Sequence, residues 1–169
     1  MFHVGETVTY GTSGACEILS REAKQLGGVT RDCLVLKPVY DSTLTICVPM
    51  DNEALMAKMH TVMTKNQVLD LISEMPPEPA ACSPDMNARR LFYADALKSG
   101  DQHTLVGMIR SIYQFKRERL ASGKRLASLD ENAMREAEHM LYSEFAIALG
   151  IEPSEVVPFI RQHIAAQES

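Results

Sequence analysis

Leu44-Thr45-Ile46-Cys47-Val48-Pro49 is where the repeat of the chain changes. Apolar residues stand at every second position, Leu44, Ile46 and Val48, with polar or small neighbours between them, which is the period of a half-buried strand. Upstream the same period runs through Phe2, Val4, Val8 and Tyr10. Breakers fall where hairpins need them, at Gly11-Thr12-Ser13-Gly14 and at Gly27-Gly28, separating runs at Cys16 to Gln25 and Arg31 to Lys37. These signals predict a small antiparallel sheet or partly closed barrel, whose edge strands carry unpaired N–H and C=O groups that a partner strand can extend.

Downstream of Pro49 everything reads as helix. A short piece is predicted over Asn52 to His60, and a second opens at Thr64, with Gln67 placed to complete a capping box and Val68, Leu69, Leu71, Ile72 and Met75 as its apolar side. The prolines of Met75-Pro76-Pro77-Glu78-Pro79-Ala80-Ala81-Cys82-Ser83-Pro84 lack the N–H and restrict the preceding residue, so no helix continues through them. The expected division is therefore a β-rich module with short trailing helices (1–74), a Pro-rich linker (75–84) and a helical domain (85–169). In that domain Ser83 is the expected cap of a helix ending at Gly100, and Asp101 caps a longer one reaching Ser122. Ser128-Leu129-Asp130-Glu131 reads as a capping box for a third helix ending at Gly150, and a last begins near Pro153 or Ser154. The fold class is α+β.

With 169 residues, of which 46% are hydrophobic, the chain can bury one good core or two modest ones. No stretch approaches the roughly 20 apolar residues of a membrane span, and no basic leader precedes an apolar run, so the expected setting is the cytoplasm, with no membrane partner. Cys16, Cys33, Cys47 and Cys82 lack zinc-type spacing and read as reduced thiols, with no metal and no cofactor expected. The net charge of −5 hides a segregation: residues 85–125 hold nine Lys and Arg against four Asp and Glu, while both flanks are acidic. Such a basic island suits nucleic-acid phosphates, although a solvated helix face produces the same pattern.

Several stretches resemble one family. Phe2-His3-Val4-Gly5-Glu6-Thr7-Val8-Thr9-Tyr10 with Gly11 and Gly14 is similar to the "F-x-x-G-D-x-V-x-Y-x-x-x-G" opening of CarD/CdnL proteins and of the polymerase-interacting domain of transcription-repair coupling factors. Cys33-Leu34-Val35-Leu36-Lys37 resembles their "Y-x-V-L-K" strand, and Leu44 to Pro49 their next strand. Leu97-Lys98-Ser99-Gly100-Asp101, the Val106 to Tyr113 helix and the stretch from Leu126 to Leu149 resemble the helical part, in the right order. The resemblance implies a Tudor/SH3-like β module that binds the RNA polymerase β subunit by strand addition, followed by a compact all-α domain that leans on promoter DNA at the upstream edge of the bubble. It implies a bacterial initiation regulator that stabilises the open complex without catalytic activity, expected to act as a monomer. The alternative is an adaptor that keeps the polymerase contact without productive DNA engagement.

Arg89, Arg90, Arg110, Lys116, Arg117, Arg119, Lys124 and Arg125 are the candidate DNA-facing residues, through sequence-independent phosphate contacts. Cations near a helix C-terminus also complement the helix dipole, which offers Lys116, Arg117 and Arg119 a structural role instead. Relatives carry a tryptophan before the first arginines; this chain has no Trp, and ungapped alignment from Leu97 places Met86 there, as an apolar wedge or as packing. Where some relatives carry a polymerase-contacting arginine, Cys47 stands here. Thr43, Thr45 and Cys47 are expected on one non-core face, with Lys24 as the nearest cation. For enzyme chemistry no thiol or hydroxyl pairs by spacing with His3, His60, His103, His139 or His163, and no phosphate-cradling glycine loop precedes a helix, so no catalytic residue is assigned.

Overall fold

The computed structural model describes residues 1–41 and 43–168. Five strands form one antiparallel sheet: β1 (Thr7–Tyr10), β2 (Ala15–Leu26), β3 (Val29–Pro38), β4 (Ile46–Pro49) and β5 (Met59–Thr61), in the order β4-β3-β2-β1-β5. The β2–β3 hairpin closes at Gly27-Gly28, where both φ angles are positive (61° and 80°) and Leu26 opposes Val29, a two-residue turn that a side chain at either position would strain. A 3-10 turn over Gly11–Ser13 joins β1 to β2. Val8, Cys16, Ile18, Leu34, Leu36, Val48 and Met59 form the sheet's core on one face, and in β3 Cys33 and Val35 are buried on the other face as well.

Helix α1 (Glu53–Met56) is capped by Asn52, but it stops early, and Met59–Thr61 pairs with β1 instead of extending it. The prediction of helix throughout this region is corrected at β5. Three residues are too few to display a period, and the pairing is driven by the otherwise open side of β1, which also lets Met59 reach the core.

Five further helical elements follow: α2 (Lys65–Ser73), α3 (Met86–Ser99), α4 (Gln102–Ala121), α5 (Ser128–Leu149) and α6 (Val156–Glu168), the last preceded by a 3-10 turn at Pro153–Glu155. The predicted capping box of α2 is present: Gln67 N donates to Thr64 Oγ1 at 3.2 Å and Thr64 N to Gln67 Oε1 at 2.9 Å. Gly100 and Gly150 end their helices in the left-handed region, and Asp101 caps α4 through Thr104 N. Two predicted caps differ. Asp85, not Ser83, caps α3, while the Ser83 hydroxyl accepts from Asp85 N at 3.2 Å. Helix α5 begins at Ser128 with Ala127 outside it and no side-chain cap, and Asp130 turns inward to a buried partner.

Phe145, Met108, Leu105, Ile112 and Val156 centre the second core, in which Val68, Leu71 and Ile72 of α2 are also buried. By packing, α2 thus belongs with the helices that follow it. The Pro-rich stretch is tied down, because Arg110 on α4 donates to Pro76 O (2.6 Å) and Pro77 O (3.3 Å).

Candidate functional site

The free edge of β4 follows from register. Met50 N donates to Asp32 O at 2.9 Å, so Met50 faces β3, and alternation turns Val48 and Ile46 the same way. The N–H and C=O of Cys47 then point away from β3, toward the open side, and Pro49 has no N–H to present there. This is the short, polar-flanked edge to which a partner strand can add. Lys24 lies on the same sheet face as Cys47. Its ammonium stands 2.8 Å from the Glu22 carboxylate, whose hydrogen bond and charge raise its pKa, with smaller contributions from Cys47 and Cys33. Thr43 and Thr45 are exposed but precede the strand, which starts at Ile46. Asp41 explains the late start, because its carboxylate accepts from Thr43 N (3.0 Å) and Thr43 Oγ1 (2.6 Å), closing a local turn that competes with the ladder.

The basic island divides into cations held by the fold and cations left to solvent. Arg89 is only 6% exposed and so does not face nucleic acid, against its assignment by charge. Its guanidinium donates Nε to Asp130 Oδ1 (2.8 Å) and Nη2 to Asp130 Oδ2 (3.1 Å), while Nη1 reaches the carbonyls of Ser83 and Pro84. Tyr93 OH donates to the same carboxylate at 2.6 Å, and burial together with that bond pushes the phenol pKa far up. Asp130 is fully buried, so this cluster joins the start of α3 to α5 through a desolvated, fully partnered carboxylate. Arg110 holds the Pro-rich stretch. Arg119 donates to Arg125 O at 2.8 Å and lies over the Phe115 ring, 5.5 Å from its centroid, and Arg89 lies over the same ring at 4.9 Å. Lys116 is half-buried near Glu138, whose carboxyl is pushed up by burial and drawn back by that ammonium.

Arg90, Arg117, Lys124 and Arg125 remain exposed, and among the described residues none of them forms an ion pair. Because Arg89 and Arg119 share one ring, the N-terminal end of α3 lies beside the C-terminal end of α4. The exposed cations therefore gather at one end of the helical domain. Met86, 45% exposed, opens α3 at that end. Sequence reasoning missed Leu91 and Phe92 of α3, which are 69% and 51% exposed. Their signal was the spacing Arg89, Tyr93, Ala96, which claims the buried stripe of α3 and leaves Leu91 and Phe92 outside it.

The sheet and α5 meet at the turn between β1 and β2. Ala15 N donates to Ser143 Oγ on α5 at 3.0 Å, and His139 Nε2 lies 3.1 Å from Ser13 O. A Cβ on Gly14 would sit 2.4 Å from Ser143 Oγ and 3.2 Å from His139 O, so the turn approaches α5 as closely as a glycine allows. Among the described residues, no cluster of three His, Cys, Asp or Glu is placed to hold a metal, and no helix is long and apolar enough to cross a membrane.

A sheet with an open edge, seated on a helical domain with cations gathered at one end, has the build of a two-module interaction protein. Residues 2–60 match the family model described as the CarD-like/TRCF RID domain, and residues 67–161 match that described as CarD, C-terminal domain. The chain belongs to the CarD family and is an RNA-polymerase-interacting transcription regulator. The family's members are transcription regulators. The first matched region ends within β5 and the second begins within α2, so the Pro-rich stretch falls inside the second.

Proposed function

We propose that the protein docks on the RNA polymerase β subunit by adding a strand to β4, and that its helical domain lays Arg90, Arg117, Lys124 and Arg125 against promoter phosphates at the upstream edge of the bubble, favouring the open complex. The observation that carries the reading is the junction at Gly14 and Ser143. A sheet fixed to α5 by the Ala15 N–H donating to the Ser143 hydroxyl, and by a glycine-tight approach, can transmit the position of its docking partner to the cations. Contacts made better with melted than with closed DNA then shift the population toward the open state by their difference in free energy. The division of labour falls between β5 and α2, with α2 and the Pro-rich stretch serving the helical side, and the protein works in the cytoplasm as a monomer. In this reading Met86 presses on the DNA as an apolar wedge.

A Cys47→Pro variant tests the docking half. Its lost N–H points outward and is not needed by the ladder, so folding is retained while strand addition is blocked. Capture of the β subunit should be abolished, and unchanged capture excludes β4 as the docking strand.

One observation favours a pure adaptor: Arg89, Arg110 and Arg119 are already engaged inside the protein, and no tryptophan is available to stack on an unpaired base. In that case charge reversal at Arg117, Lys124 and Arg125 leaves promoter-complex lifetime as it was.

A further inference from the structure

Two of the four free cysteines stand on the sheet face that carries Lys24, and strand addition at β4, which uses backbone groups, leaves both thiols unused. Cys33 on β3 opposes Pro49, and Val35 opposes Cys47 on β4, so Cys33 and Cys47 are diagonal neighbours on one face. The bond from Met50 N to Asp32 O makes 32 and 50 a hydrogen-bonded pair, which makes 33/49 and 35/47 the non-bonded pairs, whose Cα atoms approach to about 4.5 Å. Strand twist draws one diagonal of such pairs together, below the roughly 7–8 Å of a flat ladder. A disulfide needs Cα atoms within roughly 4.4–6.8 Å, and β4, a four-residue edge strand with one side unpaired, is the element best able to move the remaining distance.

We propose that Cys33 and Cys47 are a reversible dithiol–disulfide site that responds to hydroperoxides. Cys47 is half-buried and reachable, whereas Cys33 is completely covered. Burial, with the neighbouring Cys47 thiol as the next cause, pushes the Cys33 thiol up to about 11, which suits it to resolve and not to initiate. The Lys24 ammonium lies on the same face as both thiols, held by Glu22 at 2.8 Å, and Arg31 and Asp51 complete the charges on this face, while Asp32 turns to the other face and pairs with Arg21. The Cys47 thiolate attacks the peroxide O–O bond, giving a sulfenic acid and releasing hydroxide or alkoxide, which takes up a proton from solvent. Cys33 sulfur then displaces the sulfenic oxygen, losing its own proton as water leaves and the S–S bond forms. Two thiols are oxidised and one peroxide is reduced. A thiol reductant reverses the bond by exchange.

Full-length protein exposed to hydrogen peroxide, alkylated under denaturing conditions and digested without reduction should lose two hydrogens in mass and yield a peptide joining Cys33 to Cys47. Dithiothreitol should restore both thiols. Cys82→Ser should still form the bond, and Cys47→Ser, with an unchanged circular dichroism spectrum, should not. Cys33 left fully alkylatable while Cys47 proceeds to sulfinic acid, or Cys47 joined to Cys16, to Cys82 or to a second molecule, overturns the proposal. Its consequence rests on β4 being the docking strand: the oxidised protein should capture less β subunit, reversibly. A bond that forms without changing capture removes the regulatory role. Reduced protein that captures no β subunit at all refutes the docking reading and leaves the disulfide standing.

Discussion

The two modules put interaction groups on the surface in different ways. In the sheet the group is backbone: the outward N–H and C=O of Cys47 exist because β4 is last in the order β4-β3-β2-β1-β5, whatever the side chain. In the helical domain the groups are side chains, and adjacent residues take opposite parts. Arg89 is a buried structural cation and Arg90, one residue on, is solvent-facing. An open strand edge is thus robust to substitution except by proline, while a cationic face depends on which arginines the fold has already engaged.

The sharpest way to break this contrast is to remove the anion that separates Arg89 from its neighbours. Asp130→Ala leaves a buried guanidinium uncompensated and should cost about 3–5 kcal/mol, read as a lower urea midpoint. A loss no larger than that of a surface residue would return Arg89 to the solvent-facing set. Next in size is the junction. Gly14 has φ 71° and ψ −144°, a region almost closed to other residues, and its Cβ would strike Ser143 Oγ. Gly14→Ala should cost on the order of 1–3 kcal/mol and loosen the modules, seen as a larger radius of gyration in small-angle scattering. Adding Ser143→Ala should recover only the part owed to the clash. The smallest effect concerns Glu144, 3% exposed at the same junction, whose carboxyl is raised by burial and lowered less by Gln102 and the Met63 backbone. A raised folded pKa means that the ionised form is penalised in the folded protein, so this group's contribution is full below the usual carboxylate range and is lost as pH rises through the raised value. Glu144→Gln should therefore gain stability over the parent as pH rises above the usual carboxylate range, and parallel urea midpoints would contradict it.

Much of the fold was legible because it is written locally. The alternation before Pro49, the Gly27-Gly28 turn, the Thr64 to Gln67 box and the glycines at 100 and 150 each act within a few residues. What stayed hidden depends on distant partners. The β5 strand exists because β1, fifty residues earlier in the chain, has an open side. The fate of Arg89 is decided by Asp130, 41 residues away, and charge counting cannot distinguish it from Arg90. Likewise the diagonal placement of Cys33 beside Cys47 follows from strand register and not from spacing. At the candidate site the edge strand β4 was recognisable from its alternation, although Thr43 and Thr45 fall outside it, and of the nine residues assigned to DNA the fold engages Arg89, Arg110 and Arg119 itself.

The most direct test of the division between sheet and helices is the salt dependence of polymerase–promoter complexes formed with the parent protein and with an Arg117→Glu/Lys124→Glu/Arg125→Glu variant. If these cations meet phosphates, the variant should shorten complex lifetime and lower the slope of log affinity against log salt by about 0.9 for each phosphate no longer neutralised, with β-subunit capture unchanged. Equal slopes and equal lifetimes would contradict it.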